Sequence, residues 1–127
     1  MTRLLLDAHT VVWWDSDSNA LGEKARRVIQ SASSVYVSAV SEWELATKAA
    51  LAKVTLRRTL LEAARDAGFE PLPITFEHAQ AVRRLKPVHK DPFDRLLVAV
   101  ALTEELTLVS SDPILARYPI RVIEARV

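Results

Sequence analysis

The stretch "PFDRLLVAVALTEELTLVSS" (92–111) decides the fold. From Leu96 to Leu102 it contains no polar residue, so a helix over 92–105 is apolar nearly all round and must be buried. One residue later "TLVSS" (107–111) is short and apolar and reads as a strand. A buried helix that delivers the chain to a buried strand belongs to a sheet covered by helices. Working outward, "RLLLD" (3–7) and "VYVS" (35–38) read as strands, "EPLPI" (70–74) as a short extended piece and "IRVIEA" (120–125) as a last strand. Between them lie helical stretches: "HTVVWW" (9–14), "NALGEKARRVIQSA" (19–32), "AVSEWELATKAALAKV" (39–54), "LRRTLLEAARDAG" (56–68) and "TFEHAQAVRRL" (75–85), with a turn of helix in "PILARY" (113–118). The alternation predicts an α/β fold with a mostly parallel central sheet and helices on both faces.

Composition narrows the function. The 127 residues suit a single domain over 1–127, long enough to close a core. Half are apolar, yet no run reaches the roughly 18 apolar residues of a membrane span. The opening "MTRLLLDAH" is too short for a signal-peptide core, and the chain has no cysteine, which excludes disulfides and thiolate metal sites and suits the cytoplasm. Two glycines leave no phosphate-binding glycine loop, and a net charge of +1 means that any nucleic-acid contact must be local.

In such sheets sites form beyond the carboxyl ends of the strands. Asp7 and Asp112 fall at those ends, Glu44 lies early in the helix after "VYVS", and Asp94 opens the helix leading to "TLVSS". Each acid also has a structural reading. Asp7 suits a turn, Glu44 suits a pair with Lys48, and Asp112 before Pro113 suits a helix cap. Asp91 before Pro92 has the cap form too; with Asp91 as the cap, Asp94 is free for chemistry. Four clustered carboxylates repel one another, so such a cluster holds either shifted, protonated acids or a divalent cation, and all-oxygen donors suit a hard one, Mg²⁺ or Mn²⁺. The chemistry that uses them is phosphoryl transfer.

Arg83, Arg84, Lys86, His89, Lys90 and Arg95 form a basic stretch beside Asp94 that reads equally as a holder of nucleic-acid phosphates or as a solvated helix face and polar loop, with Arg95 the best single candidate for a phosphate or partner contact. His89 is left outside the catalytic set. Trp43 shares a helix face with Val40 and reads as core, whereas one of Trp13 and Trp14 reads as a partner surface.

Together "LLLDAHTVVWW", "VSAVSEWELATK", "HKDPFDRLLVAVA" and "LVSSDPIL" resemble the PIN-domain family, in particular VapC-type toxins, over nearly the whole chain. The resemblance implies a PIN-like three-layer sandwich and a Mg²⁺-dependent endoribonuclease, with Mn²⁺ able to substitute. It also implies a homodimer restrained by a cognate antitoxin protein. Asp7, Glu44, Asp94 and Asp112 match the family's acidic quartet. Asp7 and Asp94 are the implied metal ligands, Asp112 completes the site, and Glu44 ligates a second ion or orients the water. Lys90, Arg95 and Ser110 are the nucleic-acid candidates. Cleavage by a metal-activated water would leave 5′-phosphate and 3′-hydroxyl ends. The chain departs from the pattern at Ala8, where a threonine hydroxyl is common, at Ser110 in place of threonine, and at Ala52 in place of glycine. Two rival readings are a phosphatase with Asp7 as nucleophile, which His9 argues against, and an RNA- or partner-binding module that does not cut.

Overall fold

The computed structural model describes residues 2–50 and 58–127, with Ala50 described by its backbone only. Five strands, β1 (Arg3–Leu6), β2 (Ser34–Ser38), β3 (Glu70–Leu72), β4 (Thr107–Ser110) and β5 (Val122–Glu124), form one sheet in the order β3-β2-β1-β4-β5. Every neighbouring pair is parallel, so the expectation of a mostly parallel sheet is met in full. The helices are α1 (Ala8–Asp15), α2 (Glu23–Ser31), α3 (Ala39–Ala50), α4 (Leu60–Ala67), α5 (Phe76–Ala81) and α6 (Pro92–Glu104).

The pleat of β1 explains the layers. Leu4 and Leu6 enter a core with Val11, Ala25, Ile29 and Leu60, while Leu5 enters a second core with Leu97, Val98 and Val100 of α6. All three leucines are fully buried, each contributing about 1.5–3 kcal/mol of transfer free energy. A strand apolar on both faces is what a helix-covered parallel sheet requires. Among the described residues no helix is long and apolar enough to cross a membrane.

Element ends follow local chemistry. Thr59 accepts from the amide of Glu62, whose carboxylate accepts from Thr59, and Glu42 of α3 accepts from the amides of Leu60 and Leu61. The four orphan amides of α4 therefore start it at Leu60 rather than at 56, and Gly68 (φ 78°) ends it as expected. The helix expected over 19–32 begins only at Glu23. Gly22 donates to the Ala125 carbonyl, and a Cβ there would lie 2.2 Å from the Val127 backbone. A contact a hundred residues away sets that boundary. The expected helix 75–85 divides into α5 and a 3-10 turn over Val82–Arg84. The expected elements over 51–57, with the Ala52 departure, lie outside the described residues.

His78 ties α5 to α6. It is fully buried; its Nδ1 accepts from the Thr75 amide at 3.1 Å and its Nε2 lies 2.6 Å from Glu104 Oε2. The ring thus carries its proton on Nε2 and donates it to the carboxylate. We expect His78→Ala to lose both bonds and leave a cavity, at a cost of about 2–3 kcal/mol. The urea midpoint should fall with an unchanged slope; an unmoved midpoint would show that the pair holds nothing together.

Candidate active site

The order β3-β2-β1-β4-β5 places the topological switch between β1 and β4, where the chain leaves one half of the sheet for the other. Asp7 follows β1 and Asp112 follows β4, so both stand at the carboxyl edge of that crevice. The Asp7 amide donates to the Val109 carbonyl at 3.1 Å, which fixes the two strand ends together.

Asp7 caps α1. Its Oδ1 accepts from the Thr10 amide at 2.9 Å and from the Thr10 hydroxyl at 2.6 Å. That leaves Oδ2 without a hydrogen-bond partner among the described residues. A hydroxyl beside Asp7 thus comes from Thr10, two residues after Ala8. Asp112 divides its carboxylate in the same way. Oδ1 accepts from the Ile114 amide at 3.0 Å, as a cap, and Oδ2 lies 3.2 Å from His89 Nε2. Cap and site residue are two oxygens of one side chain.

Asp91 is the cap of α6, accepting from the amides of Phe93 (2.8 Å) and Asp94 (3.2 Å). Asp94, at the third helical position, gives the cap its amide but not its carboxylate, whose Oδ2 lies 3.0 Å from His89 Nε2. Asp91→Ala should cost about 1 kcal/mol of stability, read from thermal melts, and leave cleavage per folded molecule largely intact. Loss of cleavage without loss of stability would exchange the roles of the two aspartates.

Sequence analysis left His89 outside the catalytic set, and the structure places it among the acids. Its Nδ1 accepts from the Asp91 amide at 3.3 Å, so the proton sits on Nε2, between the carboxylates of Asp94 and Asp112. Ligand atoms of His89, Asp94 and Asp112 all lie within 4.8 Å of one another. In the sequence His89 stands in the basic stretch beside Asp94, two residues before the cap. Glu44 is buried at 8% exposure and accepts from Lys48 Nζ at 2.8 Å. The i,i+4 pair exists, but not on an exposed face. That hydrogen bond holds the Lys48 ammonium above its ordinary value against the opposing effect of burial, and Asp91 and Asp94 add to it.

Asp94 carries the strain of the cluster. Burial first, then the charges of Asp91, Glu44 and Asp112, push its carboxyl up to about 7, with His89 pulling the other way. A divalent cation would relieve that repulsion. The Asp94 and Asp112 carboxylates, with Asp7 on the same sheet edge, offer oxygen donors that a hard cation accepts.

The nucleic-acid candidates separate. Lys90 is exposed. Ser110 is buried, and its hydroxyl accepts from the Asp112 amide at 3.1 Å, so it orients the acid. The Arg95 guanidinium donates to the carbonyls of Lys86 (3.0 Å) and Val82 (3.4 Å) and lies 3.5 Å from the Tyr118 hydroxyl. It pins the connection before α6 instead of standing free. Trp43 corrects the core reading: it is 50% exposed and meets Phe93 edge to face. Trp13 and Trp14 are both half-buried against the first core, beneath Arg126 and Arg26.

An all-parallel sandwich whose acids gather at the switch point, around a donor set for a divalent cation, defines an acid-edged α/β domain. The chain belongs to the PIN-domain family, whose sequence profile matches residues 4–120. It is 32% identical over 119 residues, 88% of each chain, to Ribonuclease VapC22 of Mycobacterium tuberculosis. Among solved structures it is similar to VapBC2 of Rickettsia felis bound to a promoter DNA fragment. That match has a TM-score of 0.70 at 14% identity and covers 96% of this chain and 98% of the other. It is also similar to DNA-bound VapBC of Salmonella typhimurium, with a TM-score of 0.67 at 20% identity, covering 97% and 98%.

Proposed function

We propose that this chain, acting as one domain over 1–127, is a divalent-metal-dependent endoribonuclease and the toxin of a toxin–antitoxin pair. The observation that carries this reading is the convergence of Asp94, Asp112 and His89 within 4.8 Å at the edge that also bears Asp7. The relationship to Ribonuclease VapC22 supports RNA as the substrate.

Asp7, Asp94 and Asp112 would hold Mg²⁺, with Mn²⁺ as a substitute; Glu44 orients the attacking water. When bound, the cation supplies charge to the phosphate and lowers the pKa of a water. The rest falls to the chain's own groups. The Asp7 and Asp112 caps leave one oxygen of each carboxylate fixed in direction. Lys48 neutralises Glu44 enough for it to remain in a cleft of like charge. The His89 N–H, relieved of the carboxylates, can donate to a phosphate oxygen, and Lys90 neutralises the backbone alongside. Water oxygen bonds to phosphorus as the water gives up a proton, the bond to the ribose 3′-oxygen breaks, and that oxygen takes up a proton and leaves as a hydroxyl.

Such an activity demands restraint from another protein, and structural neighbours solved as VapBC complexes support an antitoxin as that partner. A homodimer in the cytoplasm completes the reading. Expressed alone, the protein should arrest growth, and Asp7→Asn should relieve the arrest. Co-expressed with the product of an adjacent small gene, it should purify as an inactive complex. Harmless expression of folded wild-type protein would remove the toxin half of the reading.

A further inference from the structure

Two residue pairs lie side by side across the seam between α3 and α6. Glu44 and Asp94 are near enough to repel. The residues immediately before them, Trp43 and Phe93, have ring centroids 4.5 Å apart at an interplanar angle of 73°. The aromatic pair adjoins the acid pair, one residue back on each helix and about 100° round each helix axis. Trp43 is half in water. A ring of that size left exposed forgoes much of the burial it could contribute, so the fold does not account for its place. The edge-to-face contact fixes the ring, which lowers the entropy that a stacked ligand must overcome. The site beside it handles phosphates, and a nucleotide brings a flat base within reach of its phosphate.

We infer that Trp43, backed by Phe93, is a stacking platform for a nucleobase of the RNA whose phosphate lies at the acids. The inference rests on the nuclease reading and names a substrate contact within it. Every base has a π-face, so the platform supplies affinity and position with little selection among bases. Exposed Lys90, close to the same helix end, suits the adjoining backbone.

The test compares wild-type Trp43, Trp43→Ala and Trp43→Phe, each carrying Asp94→Asn so that RNA stays whole. Fluorescence anisotropy reads the binding of a labelled oligoadenylate and of a base-free ribose-phosphate chain of equal length. Trp43→Ala should weaken oligoadenylate binding about 5- to 100-fold, and Trp43→Phe should restore most of it. The base-free chain should bind all three alike. Equal loss for both ligands, or no loss for either, would overturn the platform. So would a change from dimer to monomer in Trp43→Ala, which would assign the ring to a second copy of the chain. With Asp94 intact, a wild-type protein that cuts no RNA would instead remove the nuclease reading, and the binding comparison would still decide the stacking.

Discussion

Asp94→Asn is expected to lower RNA cleavage by a factor of about 10²–10³ or more, as when an electrostatic group at the reacting centre is removed. Its effect on stability should have the opposite sign. The folded protein holds the Asp94 proton with a pKa of about 7 against an ordinary 3.8, so the fold binds that proton more tightly than the unfolded chain does. Stability from this group is fully present below about pH 4 and is lost as pH rises through 7. At pH 8, without metal, wild type carries an ill-placed charge that asparagine removes. Solvent reaches the carboxylate, whose side chain is 20% exposed, so the gain is held to about 1–2 kcal/mol. Urea midpoints should favour Asp94→Asn at pH 8, and that difference should shrink as pH falls through 7 and vanish only below about pH 4. A destabilised variant at pH 8 would mean that Asp94 is a structural ion-pair partner of His89 and not a group held for a cation.

Metal should reverse the wild-type penalty. A cation at about 100 times its Kd stabilises the fold by roughly 2.7 kcal/mol. Its ligands must be deprotonated, so below pH 7 it competes with the Asp94 proton and loses up to about tenfold in affinity per unit. At one fixed Mg²⁺ concentration, the rise in melting temperature should be larger at pH 8 than at pH 6, and Asp94→Asn should forfeit most of it. An equal rise at both pH values would place the bound cation away from Asp94.

The parts legible in the sequence are those fixed by short-range chemistry. The apolar run of α6 and the three leucines of β1 can only be buried, and the parallel sheet follows. Asp91 beside Pro92 announced its cap and left Asp94 spare, as the hydrogen bonds bear out. What the sequence concealed depends on distant partners. His89 meets Asp112 across 23 positions, and no local pattern foretells it. Asp7 could be weighed as a turn residue or a site residue and Asp112 as a cap or a site residue, but neither as cap and site residue at once, because the division between two oxygens of one carboxylate is a matter of three dimensions. The start of α2 is set where Gly22 meets the last residues of the chain. Trp43 has the spacing of a core residue, yet its position on α3 faces Phe93 and water.

The central claim is that the acid edge cuts RNA with a bound cation, and the ends of the products test it most directly. Purified wild-type protein, given a random-sequence RNA pool and Mg²⁺, should yield fragments with 5′-phosphate and 3′-hydroxyl ends, and none when the cation is chelated. Cleavage that persists in chelator would show that no cation is needed, and 2′,3′-cyclic phosphates would show that a ribose hydroxyl attacks instead of water; either result would contradict the account.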